Sequence, residues 1–181
     1  MTSDQRALDA PLPNRFSSAD VVAVLRERGW LASEPSAEQA TWCERAATLL
    51  GPQAATREAL SDLLALVFHY EAREIITNVE SHAVLSRYAA REVLRQLALH
   101  LLEQGPLDSD GFHSIVTGLK ESLELRGRDL FHPLRLALAG RAGEGDLDRV
   151  ILLLDDAASL PFDTPVKSAR ARIVEFCAAL D

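Results

Sequence analysis

The chain has 181 residues, 48% of them apolar and 25% charged. Those are the proportions of one globular domain or two small packed subdomains, and they exclude a disordered chain. Nineteen Lys and Arg against 27 Asp and Glu leave a net charge of −8, which argues against a broadly basic nucleic-acid-binding surface.

The leader, residues 1–16, carries Pro11 and Pro13 and reads as loose chain. It has neither the basic nor the apolar region of a secretion signal, and Met1 reads as a native start. Apolar runs such as 63–68 and 150–154 are far shorter than the roughly 20 residues of a membrane span. A cytosolic location is expected, with Cys43 and Cys177 as reduced, buried thiols.

Ser17 with Asp20 forms a cap signal for a helix that ends at Gly29, after which Trp30 and Leu31 fold back on it. Ser33–Ser36 starts a second helix, carrying Trp42, Ala46, Leu49 and Leu50, that stops at Gly51-Pro52. Thr56 caps a third, Arg57 to about His69, with Leu60, Leu63, Leu64 and Val67 on one face. Residues 71–81 read equally as helix or extended chain.

From His82 to Gln104 the spacing predicts one helix with Leu85, Tyr88, Ala89, Val93, Leu97 and Leu101 on its apolar side, closed by Gly105-Pro106. Asp108 or Ser109 caps the next helix, Gly111 to about Leu125. A tight turn at 126–129 follows, then a short helix opened by Pro133 and closed by Gly140. A Gly-rich acidic loop, 141–146, leads to a helix at 147–154, and Thr164-Pro165 opens a terminal helix reaching Leu180.

No strand alternation or internal repeat appears. The expected fold is therefore all-α, about eight helices in a compact bundle or two stacked bundles. The expected divisions are 1–16, 17–105 and 106–181.

Enzyme signatures are lacking: there is no G-x-S-x-G, no H-E-x-x-H and no phosphate-binding G-x-x-x-x-G-K-[ST]. In Gly140–Asp146 the carboxylates of Glu144 and Asp146 would repel a phosphate. The calcium-like Asp108-Ser-Asp110-Gly111 places Phe112 and His113 where a ligand and a glycine are needed, so it reads as a helix cap. The five histidines never recur at i, i+4, and Asp155-Asp156 reads as a solvated helix end. No cofactor, metal or catalytic residue is assigned.

One segment is more specific. Pro133-Leu134-Arg135-Leu136-Ala137-Leu138-Ala139-Gly140 resembles the Pro-Leu-Arg-x-Ala-Leu-[Thr/Ser]-Gly signature of the C-terminal, anticodon-binding half of bacterial glutamyl-tRNA synthetases. Gly118-Leu-Lys120-Glu-Ser-Leu before it, residues 147–154 after it and the Val166–Ile173 basic stretch resemble that family's elements in order. Ala55–Leu60 followed by Leu66-Val67-Phe68 is similar to its Thr-x-x-Glu-Leu…Phe-Phe helix. The chain departs from the family at Ala139, at Gly143–Asp146, which lacks the usual proline, and in an extra stretch at about 155–164. The adenylate-forming motifs of those enzymes do not occur.

The resemblance implies a non-catalytic module that binds tRNA of the glutamate-acceptor type, with Arg135, Arg141, Leu147, Arg126 and Arg128 as RNA-binding residues. Arg135 would stand exposed near Arg141 and Leu147, its guanidinium stacking on or bonding to an unpaired base. The alternative for Arg135 is a buried ion pair. Two other readings stay open for the chain. One is a helical protein-interaction module that has lost RNA binding, and the other is a fragment or trans-acting half of a synthetase. Neither membrane nor DNA is an expected partner.

Overall fold

A computed structural model describes residues 13–181, so what is expected of Pro11, of the Met1 start and of the rest of 1–12 lies outside it. Among the described residues all regular structure is helical, as expected. The chain runs α1 (Ser18–Glu27), α2 (Ala37–Leu50), a 3₁₀ turn (Gly51–Gln53), α3 (Arg57–Phe68), α4 (Ala72–Thr77) and α5 (Val79–Leu85). It continues through α6 (Ala90–Glu103), α7 (Ser109–Leu123), α8 (Arg128–Ala139), α9 (Asp146–Ile151), α10 (Leu154–Ala158) and α11 (Ala169–Leu180). None of these helices is long and apolar enough to cross a membrane.

The expected caps form. Ser17 N–H donates to the Asp20 carboxylate at 2.8 Å, and Thr56 Oγ1 accepts from Ala59 N–H at 3.1 Å. Asp108 Oδ1 accepts from Gly111 N–H at 2.7 Å, a helix cap rather than a cation loop. Gly29, at φ 75°, turns the chain so that Trp30 and Leu31 return onto α1, both donating to the Leu25 carbonyl.

Trp30 stacks on Phe68, while Trp42, Phe68 and Phe162 meet edge to face with ring centroids 5.2–5.8 Å apart. Trp42 Nε1–H donates to the Leu153 carbonyl at 3.1 Å. The aromatic knot thus joins α1, α2 and α3 to the Asp155–Thr164 stretch. Farther along, α6 packs against α7, α8 and α11, and α8 packs against α9. Cys43 is buried and Cys177 half-buried, and both are free thiols.

Four expected helix bounds are corrected. The 82–104 helix is broken at Ser86–Ala89, which sends Tyr88 into solvent. The 147–154 helix is broken between Ile151 and Leu154. The helix expected to open at Pro133 opens at Arg128, because Gly127, at φ 59°, turns the chain into it earlier. Its proline then falls in the second turn, where the missing N–H costs only a bond to the exposed Asp129 carbonyl. The terminal helix opens at Ser168, not Thr164: Ser168 Oγ accepts from Ala171 N–H and Asp155 Oδ1 from Ala169 N–H.

Asp155 also accepts from Leu107 N–H, so it buttresses two segments, whereas the exposed Asp156 pairs with Arg45. Finally, the leader is anchored where it is described. Asn14 Nδ2 donates to the Ala47 carbonyl at 3.0 Å, and its side chain lies where a Cβ on Gly51 would be.

Candidate nucleic-acid interface

Helix α8 buries the signature segment from Pro133 to Ala139 and leaves only Gly140 partly exposed. Leu134, Ala137 and Leu138 are fully buried, and Gly140, at φ 84°, ends the helix in the left-handed region. Arg135, expected in solvent, is 8% exposed. Its Nε and Nη2 donate in parallel to Asp148 Oδ1 and Oδ2 at 2.8 and 3.0 Å, and its Nη1 donates to the Gly143 carbonyl at 2.8 Å. The guanidinium also lies 4.5 Å from the centroid of Phe131. Three of its five N–H donors and one face of its plane are thus taken by the protein. The buried ion-pair alternative is the observed one, and it follows from the Asp148 side chain on α9.

This fork shapes the loop between α8 and α9. With Gly143 drawn toward Arg135, Leu147 folds beneath it so closely that a Cβ on Gly143 would lie 2.7 Å from Leu147 Cδ1. Leu147 is 2% exposed, and so serves as a wall rather than as an open contact. Above it opens a cleft of about 520 Å³ lined by Gln53, Arg141, Glu144, Asp146, Leu147 and Arg149, among others. Arg141 is exposed at this cleft and makes no ion pair among the described residues. Arg149 is half-buried and reaches the Gly145 carbonyl at 3.4 Å. Of the predicted residues, Arg135, Arg141 and Leu147 therefore gather around one loop.

Arg126 and Arg128 lie at the other end of α8. Both are exposed. Arg126 lines a separate cleft with Lys120, Glu121, Glu124 and Gly127, and Lys120 lies 5.5 Å from the Phe131 ring. Beside Arg128, Arg87 Nη1 donates to the Arg128 carbonyl at 3.4 Å and to His132 Nδ1 at 3.1 Å. Burial holds the His132 pKa below the usual value; Arg87, Arg128 and Arg135 lower it further, and only Glu144 opposes them.

One arginine of the basic stretch has a role that spacing alone did not reveal. Arg172 is fully buried, 4.6 Å from the Tyr70 ring centroid. Its donors reach the carbonyls of Lys167, Leu66, Leu138 and Val67 at 3.0, 2.9, 2.9 and 2.6 Å. Leu66, Val67 and Leu138 lie in the last turns of α3 and α8, where carbonyls lack helical partners and the helix dipoles favour a cation. Burial pulls its pKa down to about 10, so it stays protonated near neutrality. A buried cation bonded to carbonyls rather than to a carboxylate could not have been told from a surface one by sequence position. No group of three or more metal-ligating side chains is assembled among the described residues.

Comparison with known proteins places this geometry. A family model described as an anticodon binding domain matches residues 20–160. The chain is 30% identical over 116 residues to glutamate–tRNA ligase 2 of Syntrophus aciditrophicus (strain SB), covering 64% of this chain and 23% of that protein. It is 28% identical over 130 residues to the glutamate–tRNA ligase of Bacillus subtilis (strain 168), covering 72% and 26%. Over 43 residues it is 44% identical to glutamate–tRNA ligase 2 of Coxiella burnetii (strain RSA 331 / Henzerling II), covering 24% and 9%. The chain thus spans about a quarter of the two longer-matched relatives. No solved structure matches it.

Proposed function

The chain belongs to the anticodon-binding domain family of glutamyl-tRNA synthetase type, and from that premise we propose that it is a non-catalytic module that holds the anticodon arm of a glutamate-acceptor tRNA in the cytosol. The observation that carries the reading is the cleft beside the signature helix, with Arg141 exposed at it and its floor set by the Arg135 fork. In this reading Arg141, Arg126 and Arg128 meet RNA. Arg135 positions the loop from within, and Leu147 supports it from beneath.

The carboxylates of Glu144 and Asp146 suit such a cleft if bases, rather than phosphates, enter it. An acidic side chain accepts hydrogen bonds from the exocyclic amine of cytosine and repels the backbone. The module supplies no catalytic group here, so pyrophosphate exchange with glutamate and ATP is expected at background.

A second reading, a helical protein-interaction module, is favoured by one observation: Asp148 occupies the fork that the resemblance assigned to RNA. Its expected partner is a synthetase catalytic half acting in trans. Titrating glutamate-acceptor tRNA against a tRNA for another amino acid separates the two readings. Tighter binding of the former supports the RNA reading. Equal weak binding that vanishes at moderate salt contradicts it.

A further inference from the structure

Tyr88 is fully exposed, in the turn that separates α5 from α6. A solvated phenol ring contributes nothing to the core, and a single exposed aromatic would by itself carry no meaning. The surroundings of this one are unusual for an acidic chain. The neighbouring Arg87 ties the turn to α8 through the Arg128 carbonyl and His132, with Asp129 at 4.0 Å.

Arg128 and Arg126 are exposed at the start of α8, and Arg91 is exposed in the first turn of α6. The carboxylate nearest in sequence, Glu92, is already engaged by Arg95 and Gln96. His132 responds to the charges of Arg87, Arg128 and Arg135 together and to Glu144 at the cleft. Arg87 and Arg128 thus share one corner of the molecule with His132, at the end of α8 away from the cleft.

An exposed aromatic face held by a fastened turn and flanked by guanidinium groups is the arrangement that takes up single-stranded RNA. The ring stacks on a base of any identity while the cations hold the backbone. We infer that Tyr88 is a stacking platform for an unpaired base of the bound RNA, with Arg126 and Arg128 on the adjoining phosphates. The inference rests on the RNA reading above and extends the interface from the cleft to the opposite end of α8.

The test uses the full chain with Tyr88→Leu, which keeps bulk without a π-face, and Tyr88→Phe. The probes are glutamate-acceptor tRNA and single-stranded oligouridylate. Tyr88→Leu is expected to melt as the wild type does and to raise Kd about tenfold. The salt slope should not change, because stacking releases no counterions. Tyr88→Phe should stay within about twofold of wild type, since the ring remains. If wild type binds tRNA and Tyr88→Leu binds equally well, the stacking role is overturned while the RNA reading stands. If wild type binds neither probe, both fall. If Tyr88→Leu loses affinity only together with its thermal stability, Tyr88 is structural and the inference is overturned.

Discussion

Arg135 and Asp148 face each other across the loop joining α8 to α9 in a two-bond fork, and a third bond from Arg135 fixes the Gly143 carbonyl. A signature arginine has become the strut of its own loop. Removing one partner leaves a largely buried charge uncompensated, which costs about 3–5 kcal/mol. Arg135→Ala should therefore lower the urea midpoint strongly. Arg135→Lys should recover only part, because lysine lacks the planar fork. Pairing Arg135→Met with Asp148→Leu should restore much of the loss. An Arg135→Ala chain that unfolds like wild type would contradict the strut.

Arg172 makes a separate and stronger demand. Replacing it by Met leaves the carbonyls of Leu66, Val67 and Leu138 facing an apolar side chain. Each stranded group costs about 1–3 kcal/mol, so the variant should lose at least about 3 kcal/mol or fail to fold. Arg172→Lys should lie between, since an ammonium cannot span two helix ends in one plane. Denaturant unfolding of the two variants checks the order.

His132 sets a pH dependence with a definite sign. Its Nδ1 is 3.1 Å from Arg87 Nη1, which can only donate, so the imidazole is neutral in the fold. Because its pKa is lowered on folding, the unfolded chain binds more protons between the folded value and the ordinary value near 6.5. Stability from this group is fully present above about pH 6.5 and is lost as pH falls through that window. Melting temperatures of wild type and His132→Asn should converge in slope above neutrality and diverge below it, with wild type falling faster. Parallel curves would remove His132 from the account.

The helical class and most caps were legible because each rests on short-range chemistry, such as Ser17 with Asp20, Thr56 before α3, or Asp108 before Gly111. The errors came where a distant group decides. The 82–104 periodicity places Tyr88 on the apolar side, but the chain breaks at Ser86 and Arg87 is held by α8. Thr164-Pro165 has the local form of a helix start, yet Ser168 wins because Asp155 supplies a second cap there. The same holds at the site: position in the signature located the loop, while the burial of Arg135 depends on Asp148, thirteen residues on. That residue bears no mark in sequence beyond being acidic.

In the proposed function, exposed arginines around α8 meet RNA while Arg135 works inside the fold. The titration of glutamate-acceptor tRNA into wild type and Arg141→Ala across a salt series tests it most directly. Wild type is expected to bind specifically, and Arg141→Ala to unfold unchanged, bind more weakly and show a salt slope smaller by about 1. Binding by Arg141→Ala with the affinity and salt slope of wild type, or wild-type binding that does not distinguish one tRNA from another, would contradict it.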